Sequence, residues 1–173
     1  DVLNEVNPDI VLVHGDTTTT LSTAMACFYS GYKVGHVEAG LRTHDLRSPF
    51  PEEFNRKITG LIADFHFAPT ELSKDNLLQE GIKDSGIFVT GNTVIDALHF
   101  IIDCIEKDNA KLESIQNELN KYIFFDWESN DRNKFVLITG HRRENFGQGF
   151  LDICMAIKDL AISNPEIHFI YPV

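Results

Sequence analysis

Ile10-Val11-Leu12-Val13 runs directly into His14-Gly15-Asp16-Thr17-Thr18-Thr19-Thr20, and this junction constrains the fold more than any other stretch. A short apolar run closed by a turn signal reads as a strand buried on both faces, the kind that parallel sheets use. A helix-like segment begins among the threonines. The junction therefore sets a carboxylate at the C-terminal end of a strand and beside a helix N-terminus. Open α/β sheets bind ligands at that edge. The free N–H groups of a helix's first turn also favour anions. Capping competes with a ligand role for Asp16, because Asp and Thr are both preferred caps. Four hydroxyls in succession exceed what one cap requires, which favours a polar pocket.

The same order of strand, loop and helix recurs along the chain. Leu3 to Asn7 reads as a helix end, and Pro8-Asp9 as the turn into the first strand. A helix over Thr18–Ser30 carries the small residues Ser22, Thr23, Ala24 and Ala26, with Gly31 as its stop. Lys33–Val37 is the next strand, ending in Glu38-Ala39-Gly40. After a loop to Pro51, Ser48-Pro49-Phe50-Pro51-Glu52-Glu53 opens a helix whose residues Phe54, Ile58, Leu61 and Ile62 are expected to face the core. Strands follow at Phe65–Ala68 and Ile87–Thr90, separated by a helix that Thr70 caps. A helix from Thr93 to about Lys107 bears one apolar stripe, Val94, Leu98, Ile101, Ile102 and Ile105, expected to be core. The polar stretch Asn109–Asn133 holds a helix over Leu112–Tyr122 and reads as a crossover. Phe135–Thr139, a helix over Phe150–Ser163 and Ile167–Tyr171 then open a second domain. No hairpin signal interrupts the series, so the sheets are expected to be parallel with right-handed crossovers. The expected domains are residues 1–98 and 99–173.

The totals narrow the function classes. The chain has 173 residues, a net charge of −11 and 43% hydrophobic residues. A core can be buried, and an acidic chain does not offer nucleic acid or an anionic membrane a basic surface. Local donors can still bind one phosphate group. Cys27, Cys104 and Cys154 are odd in number and form no CxxC pair. That argues against a disulfide framework or a zinc site and for a reduced, intracellular setting. No run is long enough to span a bilayer. The chain begins at Asp1 without Met and ends at Val173 just after a strand-like run, so a longer parent protein is expected.

Four places carry candidate chemistry. Asp16 stands at the first strand's end. Glu38 ends the second strand; the alternatives are a solvated loop acid or a partner for Arg42. A metal role for His36-x-Glu38 has no third ligand beside it. Glu52 and Glu53 lie in a helix first turn, where acids are ordinary, and Glu52 stands four residues before Arg56, the spacing of a surface ion pair. The strongest local signal is Gly140-His141-Arg142-Arg143. A titratable group and two guanidiniums follow a strand and precede a glycine-rich helix start, which suits a diphosphate site; the alternative is a surface basic turn.

Six segments, HGDTTTT, GHVEAGLRT, SPFPEEFNR, HFAPTELSKDNLLQEG, VTGNTVIDAL and ITGHRRENFGQGF, occur in this order over nearly the whole chain, Asp103 to Asn133 excepted. Together they resemble the UDP-N-acetylglucosamine 2-epimerases, of the non-hydrolysing type. The resemblance implies an α/β fold of two Rossmann-like parallel-sheet domains facing a cleft, GT-B-like, both incomplete in this chain. Residues 1–98 would be the later part of the N-terminal domain, and 99–173 the crossover and first part of the UDP-binding domain. It implies an isomerase (EC 5.1.3.14) that interconverts UDP-N-acetylglucosamine and UDP-N-acetylmannosamine for surface polysaccharides. Elimination and re-addition of UDP would carry the reaction, without metal or cofactor. Asp16, Glu38 and Glu52 match the family's catalytic carboxylates, and His141 its histidine near the UDP phosphates. Asp16, Glu38, His141, Arg142, Arg143 and Arg56 are the expected substrate-binding residues. A cytoplasmic homodimer is implied for the full-length protein, and little activity for residues 1–173 alone. The rival readings are a hydrolysing epimerase that releases UDP and N-acetylmannosamine, and a non-catalytic sugar-nucleotide module.

Overall fold

The computed structural model describes residues 2–127, 134–140 and 147–172. The chain divides into two compact units, Asp1–Asp103 and Cys104–Val173.

The first unit alternates strand and helix as the apolar runs predict. It contains α1 (Val2–Val6), β1 (Ile10–His14), α2 (Thr18–Ser30), β2 (Lys33–Val37), α3 (Glu52–Ile62), β3 (Phe65–Ala68), α4 (Glu71–Gln79), a 3₁₀ turn at Asp84–Gly86 and β4 (Ile87–Val89). Helix α5 (Thr93–Glu106) follows, and the division between the units falls within it. The four strands form one parallel sheet in the order β1-β2-β3-β4. Leu12 pairs with Gly35, and His14 with Val37. All four strands thus end at the same edge, which is where the sequence motifs lie.

Two apolar clusters hold the helices to this sheet. Val13 and Val34 meet Ala24 and Cys27 of α2; Ala68 and Ile87 meet Ala39 and Leu77 of α4. The small residues of α2 permit this close approach, as expected from the sequence. Gly31 adopts φ 78° at the C-cap of α2, a conformation that glycine enters freely. The opposite face of the sheet carries Ile10, Leu12, Phe67 and Phe88. Phe67 and Phe88 stack with ring centroids 5.8 Å apart, yet Leu12 is 61% exposed and Phe88 45%.

Two helix faces correct the expectations. The buried face of α3 is polar: Glu53, Asn55, Arg56, Thr59 and Gly60. Phe54 and Leu61 point outward, Ile58 is half-buried and Ile62 packs against the first cluster. The inward side of α3 meets charged and amide groups of the sheet edge, so polar side chains are selected there. The α5 stripe is not core either. No residue of α5 is buried, and Val94, Leu98 and Ile101 are each more than half exposed. Among the described residues no element packs extensively on it.

The second unit holds α6 (Asn109–Leu119), β5 (Lys134–Leu137), α7 (Gln148–Ser163) and β6 (Ile167–Ile170). Strands β5 and β6 pair in parallel, Lys134 against Ile167. Helix α6 begins three residues before the sequence expectation because Asp108 caps it, its carboxylate accepting from Lys111 N at 3.1 Å. Phe125 stacks flat on His168, with ring centroids 3.8 Å apart.

Candidate active site

Three elements deliver side chains to the C-terminal edge of the four-stranded sheet. The β1 end supplies His14, Gly15 and Asp16; the β2 end supplies Glu38; and the first turn of α3 supplies Glu52, Glu53, Asn55 and Arg56. Gly15 N donates to Val37 O at 3.0 Å, which continues the ladder one step beyond the strands. Gly15 has φ 71°, and a Cβ there would sit 3.3 Å from Glu38 Oε2. A bare backbone lets the two acidic turns approach each other.

Asp16 is not the helix cap. That work falls to Thr17, whose hydroxyl accepts from Thr20 N at 3.2 Å. Thr20 is buried and donates to His14 O at 2.6 Å. Two of the four threonines thus serve the local fold, and the Asp16 carboxylate is left for other work. Helix α3 holds Asp16 twice. Asn55 Nδ2 donates to its carbonyl at 2.8 Å, and Arg56 Nε lies 3.5 Å from Oδ2.

Glu38 has φ 67°, a left-handed conformation uncommon in residues with a side chain. Strain of this sort is retained at functional sites when the surroundings impose it. Its carboxylate faces His14, Nε2 to Oε2 3.7 Å. The alternative partner, Arg42, is used elsewhere. Its side chain is fully buried and grips Glu80 with two hydrogen bonds, 2.8 and 2.6 Å. These bonds hold the Glu80 carboxyl below the usual carboxylate range.

Glu52 is half-buried, and the expected Glu52–Arg56 ion pair does not form. Arg56 turns instead to Glu53, one residue on, at 3.1 Å. The spacing of i and i+3 competes with i and i+4 on any helix, and here the buried side wins. Sequence reasoning weighed Glu53 beside Glu52 but carried only Glu52 forward as a site residue, and it passed over Asn55 and His14. The only available signal was that Glu53 and Arg56 share a helix face.

Beneath the edge lie two buried histidines, paired across β2 and β3: His36 and His66. His36 Nε2 donates to Gly15 O at 2.8 Å, which makes the ring a neutral Nε2–H tautomer. Burial pushes the His36 imidazole down to about 4 and lowers that of His66 as well. His36 is therefore committed to the turn before Asp16 and is not a ligand beside Glu38. Among the described residues, no three His, Cys, Asp or Glu side chains gather as metal ligands, and no helix is long and apolar enough to cross a membrane. His141, Arg142 and Arg143 lie outside the described residues. Before them, Gly140 O accepts from Tyr171 Oη at 2.9 Å.

The fold and this edge define a parallel α/β protein that presents Asp16 and Glu38, with Glu52 in the adjoining helix turn, where such sheets bind ligands. Comparison with known sequences gives the family. The sequence profile described as UDP-N-acetylglucosamine 2-epimerase matches residues 1–173, and the chain belongs to that family. It is 53% identical to the UDP-N-acetylglucosamine 2-epimerase of Campylobacter jejuni over 174 residues, covering 100% of this chain and 44% of that protein. The protein of the same name from Escherichia coli (strain K12) is also 53% identical, covering 99% and 44%. The crystal structure of UDP-GlcNAc 2-epimerase from Neisseria meningitidis bound to UDP-GlcNAc matches with a TM-score of 0.87 at 47% identity, over 99% of this chain and 44% of that one. The Methanocaldococcus jannaschii enzyme in complex with UDP-GlcNAc and UDP gives 0.78 at 36% identity, over 99% and 44%. The chain thus spans less than half the length of each of these four relatives.

Proposed function

We propose that the protein carrying this chain interconverts UDP-N-acetylglucosamine and UDP-N-acetylmannosamine. The observation that carries this reading is the placement of Asp16, Glu38 and Glu52 on three elements at one sheet edge, in a chain 53% identical to named epimerases. The hydrogen on carbon 2 of the sugar is unactivated, so a carboxylate removes it only as another bond breaks. Departure of UDP from carbon 1 supplies that bond. Loss of the carbon 2 proton and the carbon 1 oxygen leaves a carbon 1–carbon 2 double bond in the sugar. UDP then re-adds at carbon 1 while carbon 2 takes a proton on the opposite face. A base, an acid and stabilisation of the departing diphosphate are needed.

Asp16 and Glu38 act around carbon 2, and Glu52 completes the proton relay or assists the leaving group. His141 stands near the diphosphate, and Arg142, Arg143 and Arg56 contribute to substrate binding. In this reading residues 1–98 are the later part of a Rossmann-like N-terminal domain, and 99–173 the crossover and first part of a UDP-binding domain of GT-B type. A cytoplasmic homodimer belongs to the same reading. The test is proton NMR of UDP-N-acetylglucosamine with the full-length protein in deuterated water. The expected result is deuterium at carbon 2 together with the manno product. Free N-acetylmannosamine and stoichiometric UDP would select hydrolysis, and no exchange would overturn the reading.

A further inference from the structure

The side chain of Glu53 is fully buried, which is unusual for an acid in a helix first turn. There a carboxylate ordinarily reaches solvent and serves the helix dipole. Burying it is costly unless its lone pairs are used. Here they are used. Oε2 accepts from Thr43 N and Oε1 from His44 N, each at 3.1 Å. Arg56 Nε stands 3.1 Å from Oε2. One carboxylate therefore closes the loop after Glu38 onto α3, and His44, at φ 65°, is held in that closed turn.

Arg56 extends the connection. It is itself buried, and its Nε lies between two carboxylates, 3.1 Å from Glu53 and 3.5 Å from Asp16, aligned for a hydrogen bond with neither. The guanidinium charge is thus shared between an inner carboxylate and an outer one. If the inner charge is removed, Asp16 becomes the stronger attractor. The guanidinium then closes on Asp16 as a direct ion pair, and a carboxylate held in such a pair is turned away from a substrate proton.

We propose that Glu53 is a positioning residue, which acts through Arg56 to hold the Asp16 carboxylate free for the sugar. Asn55 fixes the Asp16 backbone and Glu53 restrains the guanidinium, so α3 sets both ends of the residue. The inference rests on the proposed role of Asp16 in catalysis.

The experiment uses Glu53→Gln in the full-length protein, since Gln keeps the shape and removes the charge. A fall in kcat of about 10- to 100-fold is expected, with KM within about threefold, as for small misplacements of a reacting group. The double variant Glu53→Gln/Arg56→Met is expected to be no slower than Arg56→Met alone, because the two residues act as one unit. A kcat within about twofold of wild type, or effects that multiply in the double variant, overturns the proposal.

A crystal structure of Glu53→Gln gives a reading independent of activity. The guanidinium should approach Asp16 to about 2.9 Å; an unmoved guanidinium overturns the proposal. Should that variant not fold, Arg56→Lys replaces it, since an ammonium cannot span both carboxylates. There a comparable loss of kcat supports the proposal, and a risen KM with intact kcat overturns it. Wild-type protein run alongside separates the two readings. Absence of carbon 2 exchange in wild type removes the proposed reaction, while the crystal structure still decides whether Glu53 restrains Arg56.

Discussion

At the scale of single residues, the structure separates groups that hold the fold from groups left available for chemistry. Thr17 and Thr20 are used by the helix start. Asp16, Glu38 and Glu52 remain at the edge. Under the proposed reaction, Asp16→Asn, Glu38→Gln and His141→Ala are each expected to lower turnover by the full-length protein by roughly two orders of magnitude or more. Thermal unfolding should stay close to wild type. Near-normal rates in all three would remove the assignment.

The buried histidines make a separate prediction about pH. His36 titrates near 4 in the folded protein because burial disfavours its charged form, against an ordinary 6.5. The unfolded chain therefore binds more protons throughout that window. Stability is full above about pH 6.5 and falls as pH drops toward 4, by about 3 kcal/mol from this residue. His66, also pushed down by burial, acts in the same direction. Urea unfolding of the full-length protein between about pH 7 and pH 4.5 should show this slope. His36→Gln should flatten it; an unchanged slope would place its source elsewhere.

At the scale of elements, legibility tracked how local each signal is. Strands β1 and β2 were legible because short apolar runs end in Gly-containing turns. The stop of α2 at Gly31 and the Thr70 cap of α4 were legible because each depends on its own few residues. The orientation of α3 was not. Its apolar stripe suggested one buried side, but the partners of Glu53, Asn55 and Arg56 come from the loop at Thr43–His44 and from Asp16. Spacing along one helix does not show what stands opposite it. Arg42 has the same lesson. Its partner Glu80 lies 38 residues away, whereas the reading from local spacing looked to Glu38. This pair ties the turn after β2 to the end of α4. Glu80→Ala leaves a fully buried guanidinium without its carboxylate, and a loss of about 3 kcal/mol is expected in denaturant unfolding. Arg42→Met combined with Glu80→Leu should lose much less, because no buried charge is then left unpaired. Equal losses in the two variants would show that packing, and not charge, sets the cost.

At the scale of the whole molecule, the exposed apolar surfaces carry the argument. Parallel strands are ordinarily covered on both faces, yet among the described residues Leu12 and Phe88 stand open on one side of the four-stranded sheet, and nothing buries the α5 stripe. The chain also spans only 44% of its named relatives. That is why the α5 stripe misled as a sequence signal: periodicity shows that a face is to be buried but not what buries it. A polypeptide restricted to residues 1–173 should therefore behave as an unfinished unit. Its open faces should bind a hydrophobic dye and favour self-association. In the proposed reading the second unit of the same polypeptide gives the nucleotide His141, Arg142 and Arg143. Two guanidiniums and one histidine can attract a diphosphate without enclosing uracil and ribose, and tight small-molecule sites bury most of the ligand surface. Titration calorimetry of UDP into residues 1–173 should accordingly show weak binding, with a Kd of about 1 mM or higher, whereas the full-length protein should bind more tightly. Equal, tight binding by both would place the whole nucleotide site within these residues.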